Sequence, residues 1–423
     1  MLFSPVINEK LPAIVLNIIW ISFFLAAFCM ALFKLIFLGD QQVFADIMAA
    51  LFAMSKSAFE ISIGLTGILA LWLGIMRIGE KSGFIQLLTQ SLTPLFSRLM
   101  PEVPKGHPAL GAMVMNISAN ALGLDNAATP LGIKAMQELQ TLNPHPETAS
   151  NAQILFLVIN TSGVTLFPVT IFTYRAQLGA ANPTDVFIPI LIATYMSTLA
   201  GLLAVAFVQK INLLDKVILA YLGGFTLLIG GILAYFSSLP QQEMLEQSAS
   251  ISNFILFSLI ITFILGAINK EINAYDAFIE GAKEGFQTAI SIIPYLVAML
   301  VAIGVFRASG ALDLLADLAR ATVHYFLLND RFVDALPTAL IKPFSGSGAR
   351  AMMIDTMKTL GADSFAGRLS SIVQGSTETT FYVLAIYFGA VGIKRIRHAA
   401  ACGIIADLAG IVASIFVTYW FFG

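Results

Sequence analysis

Residues 126–139 read NAATPLGIKAMQEL, and residues 347–360 read SGARAMMIDTMKTL. Each opens on small and polar residues and continues as a helix-forming segment, in a chain that is otherwise oily. The first follows MNISANALGLD (115–125) and the second follows IKPFSG (341–346). Gly123, Pro130, Pro343, Gly346 and Gly348 interrupt or end a helix. The flanks on either side are too short to cross a bilayer alone. A short helix, a polar turn and a second short helix make a re-entrant hairpin. Its turn must line a cavity or be buried in protein, because lipid cannot satisfy an open backbone. Asn126 and Ser347 hold equivalent places and are the expected caps of the second short helix.

The surroundings of these stretches set the class. The chain is 58% hydrophobic and 11% charged, against about 25% charged in soluble domains. Uncharged runs cover 11–33, 148–174, 186–209, 217–239 and 247–269, each longer than the ~20 residues of a spanning helix. They lack the short alternating segments of a membrane β-barrel. The reading is an all-α polytopic membrane protein in a lipid bilayer. The run from residue 11 is too long for a signal-peptide core, and no small-residue cleavage site follows it, so it reads as a retained helix. Cys29 and Cys402 lie in apolar runs, and His107, His145, His324 and His398 lack ligand spacing. Neither a disulfide framework nor a metal site is expected. No basic patch points to nucleic acid. With no nucleophile–base pair and no phosphate loop, the chain is not expected to be an enzyme or to hold a cofactor.

The chain resembles itself beyond the opening pair. LGIMRIGEKSG (73–83) matches IGVFRASG (303–310), so Arg77 answers to Arg307. INTSGVTLFPV (159–169) matches VQGSTETTFYV (373–383), and TLAGLLAVAFV (198–208) matches DLAGIVASIFV (407–417). The blocks keep their order. The polar stretch PQQEMLEQ at 240–247 marks the boundary, giving halves 1–240 and 241–423. If both hairpins are re-entrant, the chain crosses at 151–175, 186–209, 217–239, 247–269 and 287–306. An odd number of crossings inverts the second repeat relative to the first. The positive-inside rule places Arg77, Lys81, Arg98, Lys105, Lys210, Lys216, Lys270, Lys394, Arg395 and Arg397 in the cytoplasm, with the N-terminus. The segments 41–58, 84–99 and 311–328 mix polar and apolar residues and read as interfacial helices.

NTSGVTLFP (160–168) and QGSTETTFY (374–382) are a second pair of polar breaks, in segments long enough to span. They read as transmembrane helices unwound midway. Half-helix ends carry free N–H and C=O groups that suit polar solutes and ions, and discontinuous helices in two halves are the usual layout of a secondary transporter. The alternative reading is structural, since serine, threonine and asparagine also bond neighbouring helices. Glu378 is the only charge from 369 to 393, and Asp407 the only one from 399 to the C-terminus. Charge near the bilayer centre costs ~2.5–3.5 kcal/mol even on lenient scales. Asp407 reads either as an ion-pair partner of Arg350 or Lys342 or as a coupling group for H+ or Na+. Its repeat partner is Thr198, so the fold does not demand a charge there. Glu378 reads as a hydrogen-bonded carboxyl or as a coupling group facing an inter-repeat cavity with Asn160 and Asn126. Arg350 and Lys134, beside the hairpin tips, read either as contacts for an anionic substrate or as side chains that snorkel to the interface, and Asp125 and Asp355 are ambiguous in the same way.

MNISANALGLDNAATPLGIKAMQELQ (115–140) resembles the signature region of the spore maturation protein A family. KPFSGSGARAMMIDTMKTLGADSFAGRLSSIVQGSTETTFYVLAIYFGAVGIKRIRHA (342–399) resembles the spore maturation protein B family. The two look fused head to tail. Both belong to the nucleoside-recognition, or gate, domain family, which is similar in architecture to concentrative nucleoside transporters. The resemblance implies inverted repeats, each with an interfacial helix, a re-entrant hairpin and a broken spanning helix. It implies a substrate or ion site at Asn116, Ser118, Asn120, Asp125, Asn126, Thr129, Asn160, Thr161, Ser162, Thr165, Ser345, Ser347, Arg350, Gln374, Ser376, Thr377, Glu378 and Thr379, to which the residue reading adds Asp407. Neighbours of Glu378 differ from those of the nucleoside transporters, so nucleoside itself is not implied. The expected function is secondary transport of a small polar solute in a bacterial inner membrane, Na+ or H+ coupled, with a homo-oligomer open. The competing function is a non-transporting scaffold of envelope or spore maturation.

Overall fold

The computed structural model describes residues 6–123, 125–163, 165–325 and 329–423, with side chains described for all of these except 6–16 and 125–127. The described elements are helical. After α1 (Val6–Phe37) comes a series of α2 (Val43–Lys81), α3 (Phe84–Leu99), α4 (Pro108–Ala121), α5 (Asp125–Thr141), α6 (Asn151–Ser162), α7 (Val169–Gln177) and α8 (Phe187–Gln209). Two helices follow, α9 (Lys216–Ser237) and α10 (Gln241–Asn269). The series then recurs as α11 (Ala274–Ala308), α12 (Ala311–Tyr325), α13 (Leu336–Ile341), α14 (Gly346–Leu360), α15 (Phe365–Ser376), α16 (Thr380–Gly389) and α17 (Ala399–Phe422). Among the described residues seven helices are long and apolar enough to cross a membrane: α1, α2, α8, α9, α10, α11 and α17.

Local chemistry repeats with the elements. Gly83 (φ 85°) and Gly310 (φ 83°) make the left-handed turns that lead into α3 and α12, a conformation that costs a side-chain-bearing residue. Ser150 starts α6 with a capping box to Gln153, and Ser364 caps α15 by accepting from Gly367 N. Each satisfies an orphan N–H of a half-buried helix end.

Equivalent helices of the two series run antiparallel against each other. Arg77 at the end of α2 donates to Glu280 at the start of α11 (3.0 Å). Farther along the same pair, a Cβ on Gly285 would lie 2.7 Å from the backbone of Ala70. Gly281 and Gly285, one turn apart, let the two backbones approach, as small residues do in membrane helix pairs. In α8 and α17, Ser197 Oγ donates to the Ala406 carbonyl at 2.9 Å, and Gln209 meets His398 at 3.0 Å. α4 and α5 fold back on each other as a hairpin, as do α13 and α14. At ~1.5 Å per residue the longest of these four, α5 with 17 residues, reaches only ~26 Å.

α6 is buried from Ala152 to Ser162 and α15 from Ala366 to Ser376, apart from Arg368. They form the centre. α9 is apolar yet only 11% of its spanning window is buried, as befits a lipid-facing helix. One expectation is corrected. Residues 43–58 are not a separate interfacial helix but the opening stretch of the 39-residue α2. Nothing between 43 and 81 breaks the helix, and its polar residues Asp46, Lys56 and Glu60 are exposed on its side. Segments 84–99 and 311–325 are separate short helices, each burying one face, with Ile85, Phe96 and Leu99 buried in α3 and Ala311 and Leu312 in α12.

Candidate functional site

The two breaks meet. α6 ends at Ser162, leaving terminal carbonyls without helical partners, and α16 starts at Thr380 after an extended Thr377 and Thr379. The Glu378 N–H donates to the Thr161 carbonyl at 2.7 Å, so an orphan donor of one half satisfies an orphan acceptor of the other. The negative dipole end of α6 thereby faces the positive end of α16. α8 and α17 flank this junction from symmetric positions. Thr198 donates to the Ser162 carbonyl (2.6 Å) and Thr194 to the Gly163 carbonyl (2.7 Å). On the other side Thr380 donates to Asp407 (2.6 Å). Thr161, Ser162, Ser376, Thr380 and Asp407 are fully buried, and Thr377 and Thr379 nearly so.

Each hairpin tip is tied to the break of its own half. Leu166 N donates to Ala121 O (2.9 Å) at the first tip, and Phe381 N to Pro343 O (3.0 Å) at the second. Gly123, at φ 71°, brings the first tip against the Phe167 carbonyl, which a Cβ there would meet at 2.7 Å. In the second, Gly346 packs on Thr379, and the buried Lys342 donates to the Gln374 carbonyl at 2.9 Å. The N-cap of α14 is Ser345, which accepts from Gly348 N at 3.0 Å. Ser347 lies inside the first turn, 3.3 Å from Ser345 Oγ. Two serines two positions apart can each reach a free N–H, and the backbone of Ser345 is the extended one a cap requires. Asn126 falls in the first turn of α5, after its start at Asp125, and the side chains of both lie outside the described residues.

The remaining site residues divide. Asn116, buried in α4, donates to the Ala128 carbonyl (2.7 Å) and to Tyr387 Oη (3.2 Å) of the other half. Asn120 donates to Asn160 Oδ1 (2.8 Å), and the Asn160 amide donates to Phe156 O (3.0 Å). Ser162 and Ser376 bond back to carbonyls of their own helices, Val158 and Val373. The Thr165 N–H donates to Thr194 Oγ1 (3.4 Å). Ser118 and Gln374 are buried beside these, while Thr129 is half-buried. Arg350 lies over the ring of Tyr174 of the first half (5.8 Å). Glu378 joins the junction through its N–H, and the residue is exposed. Asp355 pairs with Arg307 (3.1 Å), the repeat partner of Arg77. The sequence reading overlooked Thr194, Ser197, Thr380, Tyr174 and Tyr387. A signal was present at Gly403 and Gly410, which stand one turn either side of Asp407 and clear space for Thr380 and Thr377.

Beyond the junction, loops of opposite halves close each end. At one end Arg175, with no exposed side-chain surface, donates to Asp185 (2.8 Å), Asp363 (3.0 Å) and the Ala362 carbonyl (2.7 Å). Arg368 reaches Asp185 at 2.8 Å. At the other end Lys394 N and Arg395 N donate to Glu147 O (2.9 Å each), and Ala149 N donates to Arg395 O (3.0 Å). Lys394 and Glu147 also pair through exposed side chains. Two cavities lie away from the junction. One of about 590 Å³ is lined by Arg77, Asp276, Glu280 and Lys283. The other, of about 500 Å³, is lined by Glu102, Lys105, Asn151 and Gln209.

Fold and site together define a multi-pass membrane protein whose two equivalent halves meet through interrupted helices. The chain belongs to the Gate family, described as nucleoside recognition, whose model matches residues 62–178 and 289–394. It is 51% identical to spore maturation protein B of Bacillus subtilis (strain 168) over 154 residues, which are 36% of this chain and 85% of that protein. It is 38% identical to spore maturation protein A of the same organism over 187 residues, 44% of this chain and 92% of that protein. The two similarities fall on separate halves, as in a fusion of the two proteins. No solved structure matches the chain.

Proposed function

We propose that this protein is a secondary transporter of a small polar solute in a bacterial inner membrane, built from two inverted repeats with re-entrant hairpins. The observation that carries the reading is the Glu378 N–H to Thr161 carbonyl bond (2.7 Å), which joins the unwound segments of opposite halves. Unwound backbone at membrane depth is tolerated only in protein or beside a cavity. Its use in both halves at one junction suits a solute whose hydroxyls, amides or carbonyls replace those mutual bonds. Opposed loop contacts at the two ends fit alternating access, in which one end opens while the other holds. The positive-inside rule supports a cytoplasmic Glu147–Lys394 end and N-terminus in this reading. The family description favours a nucleoside-like solute. No catalytic step is part of this reading.

The packing of the junction favours one other reading, a scaffold that uses the same halves to assemble with envelope proteins. A thermal-shift screen of purified protein against nucleosides, amino acids and dicarboxylates separates the two. A ligand at about 100 times its Kd stabilises the native state by ~2.7 kcal/mol. A saturable shift with one of these classes is the result expected. No shift with any of them, together with co-purification of a fixed envelope partner, replaces the transporter with the scaffold.

A further inference from the structure

We infer that Asp407, with the hydroxyls of Thr161 and Thr377, forms a binding site for one monovalent cation, a proton or Na+. Its role in coupling rests on the transport reading; the site itself rests on the geometry. Asp407 is fully buried in the middle of α17. Its Oδ2 accepts from Thr380 at 2.6 Å, while Oδ1 has no hydrogen-bond partner among the described residues. The Thr377 hydroxyl turns to the same carboxylate, and it and the Thr161 hydroxyl, both buried, have no other hydrogen-bond partner among the described residues. The glycines of α17 let it pack closely on the threonines around Asp407. A Cβ on Gly403 would lie 2.7 Å from the Thr380 methyl and 3.7 Å from that of Thr161, and one on Gly410 would lie 2.7 Å from that of Thr377.

A buried carboxylate needs a compensating charge or a proton. The fold itself requires no acid here, because the equivalent Thr198 completes its half with a hydroxyl donated to the Ser162 carbonyl. The charges that act on Asp407 are those of Lys342 in the second hairpin and Glu378 in the break. Lys342 also donates to the Gln374 carbonyl at 2.9 Å, and its charge and that of Glu378 are of opposite sign and offset each other toward Asp407. One carboxylate with neutral hydroxyl oxygens neutralises one positive charge, and hard oxygen donors suit Na+ or a proton rather than a soft metal. The oxygens come from α6, the second break and α17, so a cation there ties both halves to the junction.

The test uses purified full-length protein and its thermal midpoint. Na+ is titrated against choline at constant ionic strength near pH 8, and a Na+-free series runs from about pH 5 to 9. The wild type should gain stability with Na+ if the ion is sodium, or lose stability as pH rises, without a Na+ response, if it is a proton. Asp407→Asn should lose that response. Should Asp407→Asn not fold, Thr377→Val serves, since its hydroxyl supports nothing else in the fold. It should shift the half-effect about tenfold, to higher Na+ or by about one unit to higher pH. A wild type indifferent to both cations overturns the inference, as does an unchanged response in both variants. A missing cation response beside an intact solute shift removes the cation site and leaves the transport reading standing. A cation response without any solute shift does the opposite.

Discussion

The two ends of the molecule are closed by loops in symmetry-equivalent places but with different chemistry. The α7–α8 and α14–α15 loops are locked by buried charge. Arg175 has none of its side chain exposed and Asp185 only 8%. The α5–α6 and α16–α17 loops are held by backbone bonds and by a pair whose side chains are 61% and 44% exposed. A buried ion pair gains little over apolar packing but is expensive to break singly, whereas an exposed pair contributes little in either direction. Under the transport reading, the Glu147–Lys394 end is therefore the one that parts at lower cost. The fold supplies symmetry, and the loop residues make the ends unequal.

That comparison can be broken most easily at Arg175. Arg175→Ala leaves Asp185 buried with only Arg368 opposite, so it should cost ~3–5 kcal/mol, read as a drop in the unfolding midpoint. A loss below about 1 kcal/mol makes the two ends alike. Asp363→Asn should cost less, ~1–2 kcal/mol, because Asp363 is 35% exposed and its two oxygens serve Arg175 and the Ala181 N–H. Denaturant unfolding of this variant beside the first measures how far burial sets the cost. Arg397→Ala, at the opposite end, removes one bond to the Ala149 carbonyl (2.9 Å) and should cost ~0.5–1 kcal/mol in the same assay.

Glu147→Gln should change nothing measurable at neutral pH. The Lys394 hydrogen bond, then its charge, holds the Glu147 carboxyl below its ordinary range. A depressed carboxyl stabilises above its unfolded pKa and loses that contribution as pH falls through the folded one. Any small difference between wild type and Glu147→Gln must therefore vanish in acid. A difference that grows on acidification points to a partner other than Lys394.

The breaks and hairpins were legible because they are made of residues with local meaning. Gly123, Pro168, Gly346 and Gly375 interrupt apolar runs, and they do so in matching order. Which serine caps α14 was not legible, since Ser345 and Ser347 differ only in a backbone angle. The extent of α2 was misread because Asp46, Lys56 and Glu60 look interfacial, although nothing near them stops a helix. The end loops were opaque altogether. Arg175 meets Asp363, and Glu147 meets Lys394, across sequence distances that carry no periodicity. Asp407 stood out as a lone charge, but its partner Thr380 follows from how α17 packs between Gly403 and Gly410.

Transport itself is tested most directly in proteoliposomes loaded from a pool of small polar metabolites, with the lumen analysed by mass spectrometry. The account predicts that vesicles carrying the protein accumulate at least one such solute over protein-free vesicles. It predicts that Gly403→Val, which pushes α17 off Thr380, abolishes the accumulation. Lumen contents identical to those of protein-free vesicles, across the whole pool and with a Na+ or pH gradient of either direction, contradict it.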